Sequence, residues 1–73
     1  MVLMKNILNM YLDKYYNRFK LKNLTTSEEI VFELFEDLHT INRIGYELEE
    51  MDDEIKEQML SRWIKIFDEN NKS

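Results

Sequence analysis

Between Ser27 and Met51 one pattern restricts the fold more than any other. Val31, Leu34, Leu38, Ile41, Gly45 and Leu48 recur at alternating intervals of three and four. On an α-helix that spacing makes one continuous apolar stripe. A second stripe, Phe32, Phe35, His39, Asn42 and Tyr46, lies about 110° round the same helix at about 100° per residue. The remaining sector carries Glu29, Glu33, Glu36, Thr40, Arg43, Glu47 and Glu50, with Asp37 at its edge. One helix would therefore present an aliphatic, an aromatic and an acidic side. A helix with a single core contact needs only the first, so the aromatic side faces either a second helix or a partner chain.

The flanking segments also read as helices. Residues 2–20 place Met4, Leu8, Tyr11, Leu12, Tyr15 and Phe19 on one face and Asn6, Asn9, Asp13, Asn17 and Lys20 on the other. Arg18, Lys20 and Lys22 suit the negative end of that helix. The stretch Lys22-Asn23-Leu24-Thr25-Thr26-Ser27 is the clearest break. Thr26 with Glu29, or Thr25 with Glu28, fits the reciprocal capping box that opens a helix.

The next boundary is less marked. The aliphatic spacing runs on through Asp52, Ile55, Met59, Arg62 and Ile66, which permits one helix of about 65 Å at 1.5 Å per residue. Such an arm requires a coiled-coil partner. Asp52 and Arg62 at seam positions argue against it, as do the clustered acids Asp52, Asp53 and Glu54, which favour a new helix start. We expect a turn between Glu50 and Asp53, with Gly45 as a C-terminal cap the second choice. The expectation is an all-α, three-helix antiparallel bundle in one domain, with helices at about 2–20, 27–50 and 53–69. The alternative is a helical hairpin with one long helix in a coiled-coil dimer.

Seventy-three residues make one small domain. A chain of that size buries only about 60% of its unfolded surface. It has no cysteine to staple it or to bind a metal through thiolates. No run approaches the ~20 apolar residues of a membrane span, and the first twelve residues lack the pattern of a signal peptide. The sequence fits a cytoplasmic protein with no membrane contact. The absence of alanine and proline and the wealth of Lys, Asn, Ile and Glu suggest an AT-rich coding sequence, as in low-GC bacteria, their phages and plasmids.

Charge is unevenly spread. Residues 1–24 carry five basic side chains against one acidic, and residues 25–73 carry five against fourteen. This asymmetry can act inside the fold or across an interface. Glu29/Glu33 and Glu33/Asp37 are like charges one turn apart, which weakens an isolated helix. Bases on another helix or a basic partner must offset them.

Catalytic constellations are scarce. There is one histidine and no glycine-rich loop, and neither Ser27 nor Ser61 has an evident base. Glu36-x-x-His39 matches half of a di-iron motif, which would need a second copy. Glu33-x-x-Glu36, followed after thirteen residues by Glu50-x-x-Asp53, is similar to the acidic Mg²⁺ motif of all-α nucleotide pyrophosphohydrolases. That resemblance implies a metal-dependent enzyme. Glu36, however, points away from the aliphatic stripe, where an inward site would lie. Direct nucleic-acid binding is disfavoured by the acidic remainder of the chain, despite the bases interleaved with Tyr11, Tyr15 and Tyr16.

We therefore expect no catalysis, no cofactor and no metal. The expected role is that of a small acidic regulator or inhibitor that covers a functional site of a larger protein, for instance a nucleic-acid-binding one. The partner-binding candidates are Phe32, Phe35, Glu36, His39, Arg43, Tyr46, Glu47 and Glu50. A homodimeric assembly protein is the alternative, and the pyrophosphohydrolase-like enzyme is third.

Overall fold

The computed structural model describes residues 10–70, and those residues are all-helical, with no strand. Among the described residues four helices follow in order: α1 Met10–Tyr16, α2 Thr26–His39, α3 Asn42–Glu50 and α4 Asp53–Asn70. The expected bundle has three. The difference arises because the span 27–50 is two helices, α2 and α3. The long-helix alternative is not formed, since the chain breaks at Thr40–Ile41 and again at Met51–Asp52.

The beginning of α1 is held by another helix. The Glu57 carboxylate accepts from the backbone N–H groups of Tyr11 at 3.0 Å and Leu12 at 2.7 Å. First-turn donors have no partner within their own helix, and a carboxylate there also meets the positive end of the helix dipole. Residues 2–9 of the expected first helix lie outside the described residues. The helix also stops earlier than expected. After Tyr16 the bonds Arg18 N–H to the Tyr15 carbonyl, Lys20 to Asn17 and Leu21 to Arg18 close three-residue turns. The tighter winding rotates Phe19 off the face it would share with Leu12 and Tyr15. Phe19 is 87% exposed rather than core.

At α2 the capping box is Thr25 with Glu28. The Thr25 hydroxyl accepts from Glu28 N–H at 3.1 Å, and the Glu28 carboxylate accepts from Thr25 N–H at 2.9 Å. Glu28 is buried and also receives Lys14 Nζ at 2.7 Å. The end of α2 shows side chains competing for backbone carbonyls. His39 Nδ1 lies 2.7 Å from the Phe35 carbonyl, and because a carbonyl only accepts, Nδ1 carries the proton. The Thr40 hydroxyl donates to the Asp37 carbonyl at 2.7 Å. Ile41 is extended, and α3 begins at Asn42.

Gly45 is therefore no C-cap. It sits inside α3, buried, with its N–H on the Ile41 carbonyl at 2.7 Å. A Cβ added there would run into the carbonyl of His39. The absent side chain lets α3 double back closely over the end of α2.

Helix α2 packs against α4 and α3, and α1 packs against α4. The core is Leu12, Tyr15, Val31, Phe32, Phe35, Leu48, Leu60 and Ile64. Tyr15 meets Phe35 edge-on at 4.9 Å and Phe32 at 5.9 Å, an arrangement favoured by the ring quadrupoles. The buried sector of α2 thus lies between its two stripes. On the aliphatic side Leu34 is 49% exposed and Ile41 is exposed as well. Trp63, on α4, packs against this core and is half-buried.

Candidate functional site

The break at Thr40–Ile41 divides the expected partner-binding set. Phe32 and Phe35 are core residues at 1% exposure, so neither presents more than a small part of its ring to a partner. His39 is half-buried against Phe35, centroids 4.8 Å apart, and stacks over Tyr15 at 6.3 Å. Arg43, Tyr46 and Glu47 gather on the outer side of α3 with Asn42, around a shallow depression of about 500 Å³. Glu50 is exposed at the end of that helix. Glu36, with Phe32 beneath it, lines a groove between the α1–α2 connection and α2.

That groove encloses about 520 Å³ and is lined by Arg18, Phe19, Leu24, Glu29, Phe32, Glu33 and Glu36. Its origin is local. The tight turns after Tyr16 throw Phe19 outward, and the capping box sets the direction of α2. Positions 29, 33 and 36 of α2 then share its outer side. At one end the groups are fully engaged. Arg18 Nη2 and the Tyr15 hydroxyl donate to the same Glu36 oxygen, at 2.7 and 2.6 Å. Arg18 Nη1 donates to the Tyr15 carbonyl at 2.7 Å. The guanidinium lies 4.2 Å from the Tyr15 ring centroid and 4.5 Å from that of Phe19. The Tyr15 hydroxyl bond, aided by the Arg18 charge, holds the Glu36 carboxyl below its ordinary range. Burial and the bond to Glu36 push the Tyr15 phenol upward in turn.

The rest of the acidic side is unmatched. Lys14 and Arg18 serve Glu28 and Glu36, so part of the charge asymmetry is used within the fold. Lys56 approaches Asp53 at 3.9 Å. Glu29, Glu33 and Asp37 are exposed and meet no base among the described residues. They stand at successive four-residue steps, about 6 Å apart along the axis.

A second concavity, of about 330 Å³, is lined by Leu34, Asp37, Leu38, Trp63 and Phe67. It opens where the aliphatic stripe of α2 overhangs α4. Among the described residues no three His, Asp or Glu side chains come together as a metal site. No described helix is long and apolar enough to cross a membrane.

Sequence reasoning missed Phe19, Leu24, Glu29 and Glu33 as one surface. The like-charge pair Glu29/Glu33 was the available signal, since it weakens an isolated helix and favours an added positive charge nearby. Comparison of the chain with known protein families, curated proteins and solved structures returns no match.

Proposed function

We propose that this protein is a small regulator or inhibitor that binds a basic surface on a larger protein through the outer side of α2. The observation that carries this reading is the row Glu29, Glu33 and Asp37. These carboxylates are exposed, one turn apart, and unpaired among the described residues, while neighbouring acids have bases. Like charges at that spacing destabilise a helix unless something answers them. A surface that binds a polyanion such as nucleic acid has the matching sign, and steered association between the two would be fast and salt-sensitive.

The experiment is a capture assay with immobilised protein and a triple variant, Glu29→Gln, Glu33→Gln and Asp37→Asn. Support is a protein retained by the wild type, released by salt and not retained by the variant. Retention that ignores both salt and the triple substitution would reject the acidic row as the contact.

A homodimer is the second reading, and the cleft at Leu34 favours it. Leu34 and Ile66 are about half-exposed, beside half-buried Leu38, Trp63 and Phe67. Asp37 lines the cleft from α2, and Arg62 stands one turn before Ile66 on α4. A two-fold copy would set α2 of one chain against α4 of the other and pair those charges. A sedimentation mass of one chain at high concentration removes this reading.

A further inference from the structure

We infer that the groove between Phe19 and the Glu29–Glu33 side of α2 is an arginine pocket, which receives a guanidinium from a basic segment of the partner. This deepens the proposed function and rests on it. Three features of the groove point to one ligand chemistry. Its wall of carboxylates, Glu29, Glu33 and Glu36, faces one cation among the described residues, Arg18, so an added positive charge is favoured. Its floor is apolar, from Leu24 and Phe32, and suits the methylene stem of a long side chain. Its other wall is the ring of Phe19, which is almost wholly exposed. An aromatic ring held in solvent at the mouth of an acidic groove offers a face for stacking.

The protein's own Arg18 shows how these groups hold a guanidinium. It lies against the rings of Tyr15 and Phe19 and donates to Glu36 on α2. Beside it the groove presents the remaining surface of the Phe19 ring together with Glu29 and Glu33, a turn apart, which meet no base among the described residues. A planar guanidinium can stack on the ring and donate to both carboxylates. A lysine ammonium is a compact, strongly hydrated charge that does the second without the first. The pocket should therefore tell arginine from lysine, which a bare acidic row would not.

The test uses the full chain and two short, blocked synthetic peptides, one alternating Arg with Leu and the other its Lys-for-Arg twin. Binding is followed by nuclear magnetic resonance of isotope-labelled protein. The expected result is that the Arg peptide perturbs Phe19, Leu24, Glu29 and Glu33, and binds about tenfold tighter than the Lys twin. Phe19→Leu should bring the Arg peptide down to the Lys level while leaving the thermal midpoint unchanged. Equal affinity for the two peptides, lost in the double variant Glu29→Gln/Glu33→Gln but not in Phe19→Leu, overturns the pocket and leaves the acidic-row reading standing. Perturbations centred on α3 also overturn the pocket. If neither peptide perturbs α2, the pocket and the acidic-row reading both fall.

Discussion

Glu57 reaches across from α4 to cap the first turn of α1, accepting from Leu12 N–H at 2.7 Å in a buried setting. The second carboxylate oxygen takes Tyr11 N–H. Removing this group would leave two backbone donors without their acceptor. Glu57→Ala should therefore cost about 2–3 kcal/mol of stability, as for a lost cap combined with a buried unsatisfied donor. Glu57→Gln keeps one carbonyl oxygen and should lose roughly half as much. Urea unfolding measures both. Equal stability of Glu57→Ala and the wild type would show that the cap contributes nothing.

Gly45 should behave contrary to helix propensity. In an ordinary helix interior Gly→Ala stabilises by about 0.5–1 kcal/mol. Here the new methyl would meet the His39 carbonyl, which is backbone and cannot swing aside. We expect Gly45→Ala to destabilise by about 1–3 kcal/mol, the range for overpacking a close contact. The denaturant midpoint decides the sign, and a stabilised variant would mean that α3 does not approach α2 so closely.

Three aromatics should rank by burial. Phe32 is enclosed among Tyr15 and the rest of the core, so Phe32→Ala should cost about 3–5 kcal/mol. Trp63 is half-buried, and Trp63→Ala should cost less. Phe19→Ala should change stability by no more than about 0.5 kcal/mol. Thermal unfolding of the three variants gives the order directly. A Phe19 variant as unstable as the Phe32 variant would place Phe19 inside.

That order departs from what periodicity alone suggests for Phe19, which shares its spacing with the buried Leu12 and Tyr15. The capping box at Thr25 and Glu28 was legible because it is a contact within one turn. The break after His39 was not, since Ile41, Gly45 and Leu48 keep the helical spacing across it. Only the local chemistry marks it: the imidazole and the Thr40 hydroxyl bond to carbonyls of the preceding turn. A short His-Thr-Ile-Asn run is weak notice of that competition. Phe19 kept the spacing of Tyr11, Leu12 and Tyr15, yet the chain had already tightened after Tyr16. The Glu57 cap joins residues 45 positions apart, and no short-range pattern reveals it. The acidic side of α2 was readable from charge spacing, whereas the ring opposite it depended on where α1 ended.

Tyr15 and Glu36 give the protein a stability that should fade at both extremes of pH. Burial raises the Tyr15 phenol first, and its bond to the Glu36 carboxylate raises it further, while Arg18 opposes. In the unfolded chain a tyrosine ionises at about pH 10. Above that pH the unfolded chain releases the proton while the folded one keeps it, so the unfolded state binds fewer protons and stability falls as pH rises. Tyr15→Phe should flatten this alkaline loss. In acid the sign is opposite. Glu36 is held below its ordinary range mainly by the Tyr15 hydroxyl, so its contribution is present at neutral pH and is lost as pH falls through its folded-state value. The Glu36 side chain is about half exposed, at 54%, and solvent screening keeps that acid effect small. Denaturant unfolding of wild type and Tyr15→Phe across the pH range separates the two limbs, with a Glu36 titration by nuclear magnetic resonance as a second readout. The Tyr15→Phe variant should show Glu36 moved back toward the usual carboxylate range. An unchanged alkaline limb together with an unmoved Glu36 would mean that the Tyr15–Glu36 hydrogen bond does not form in solution.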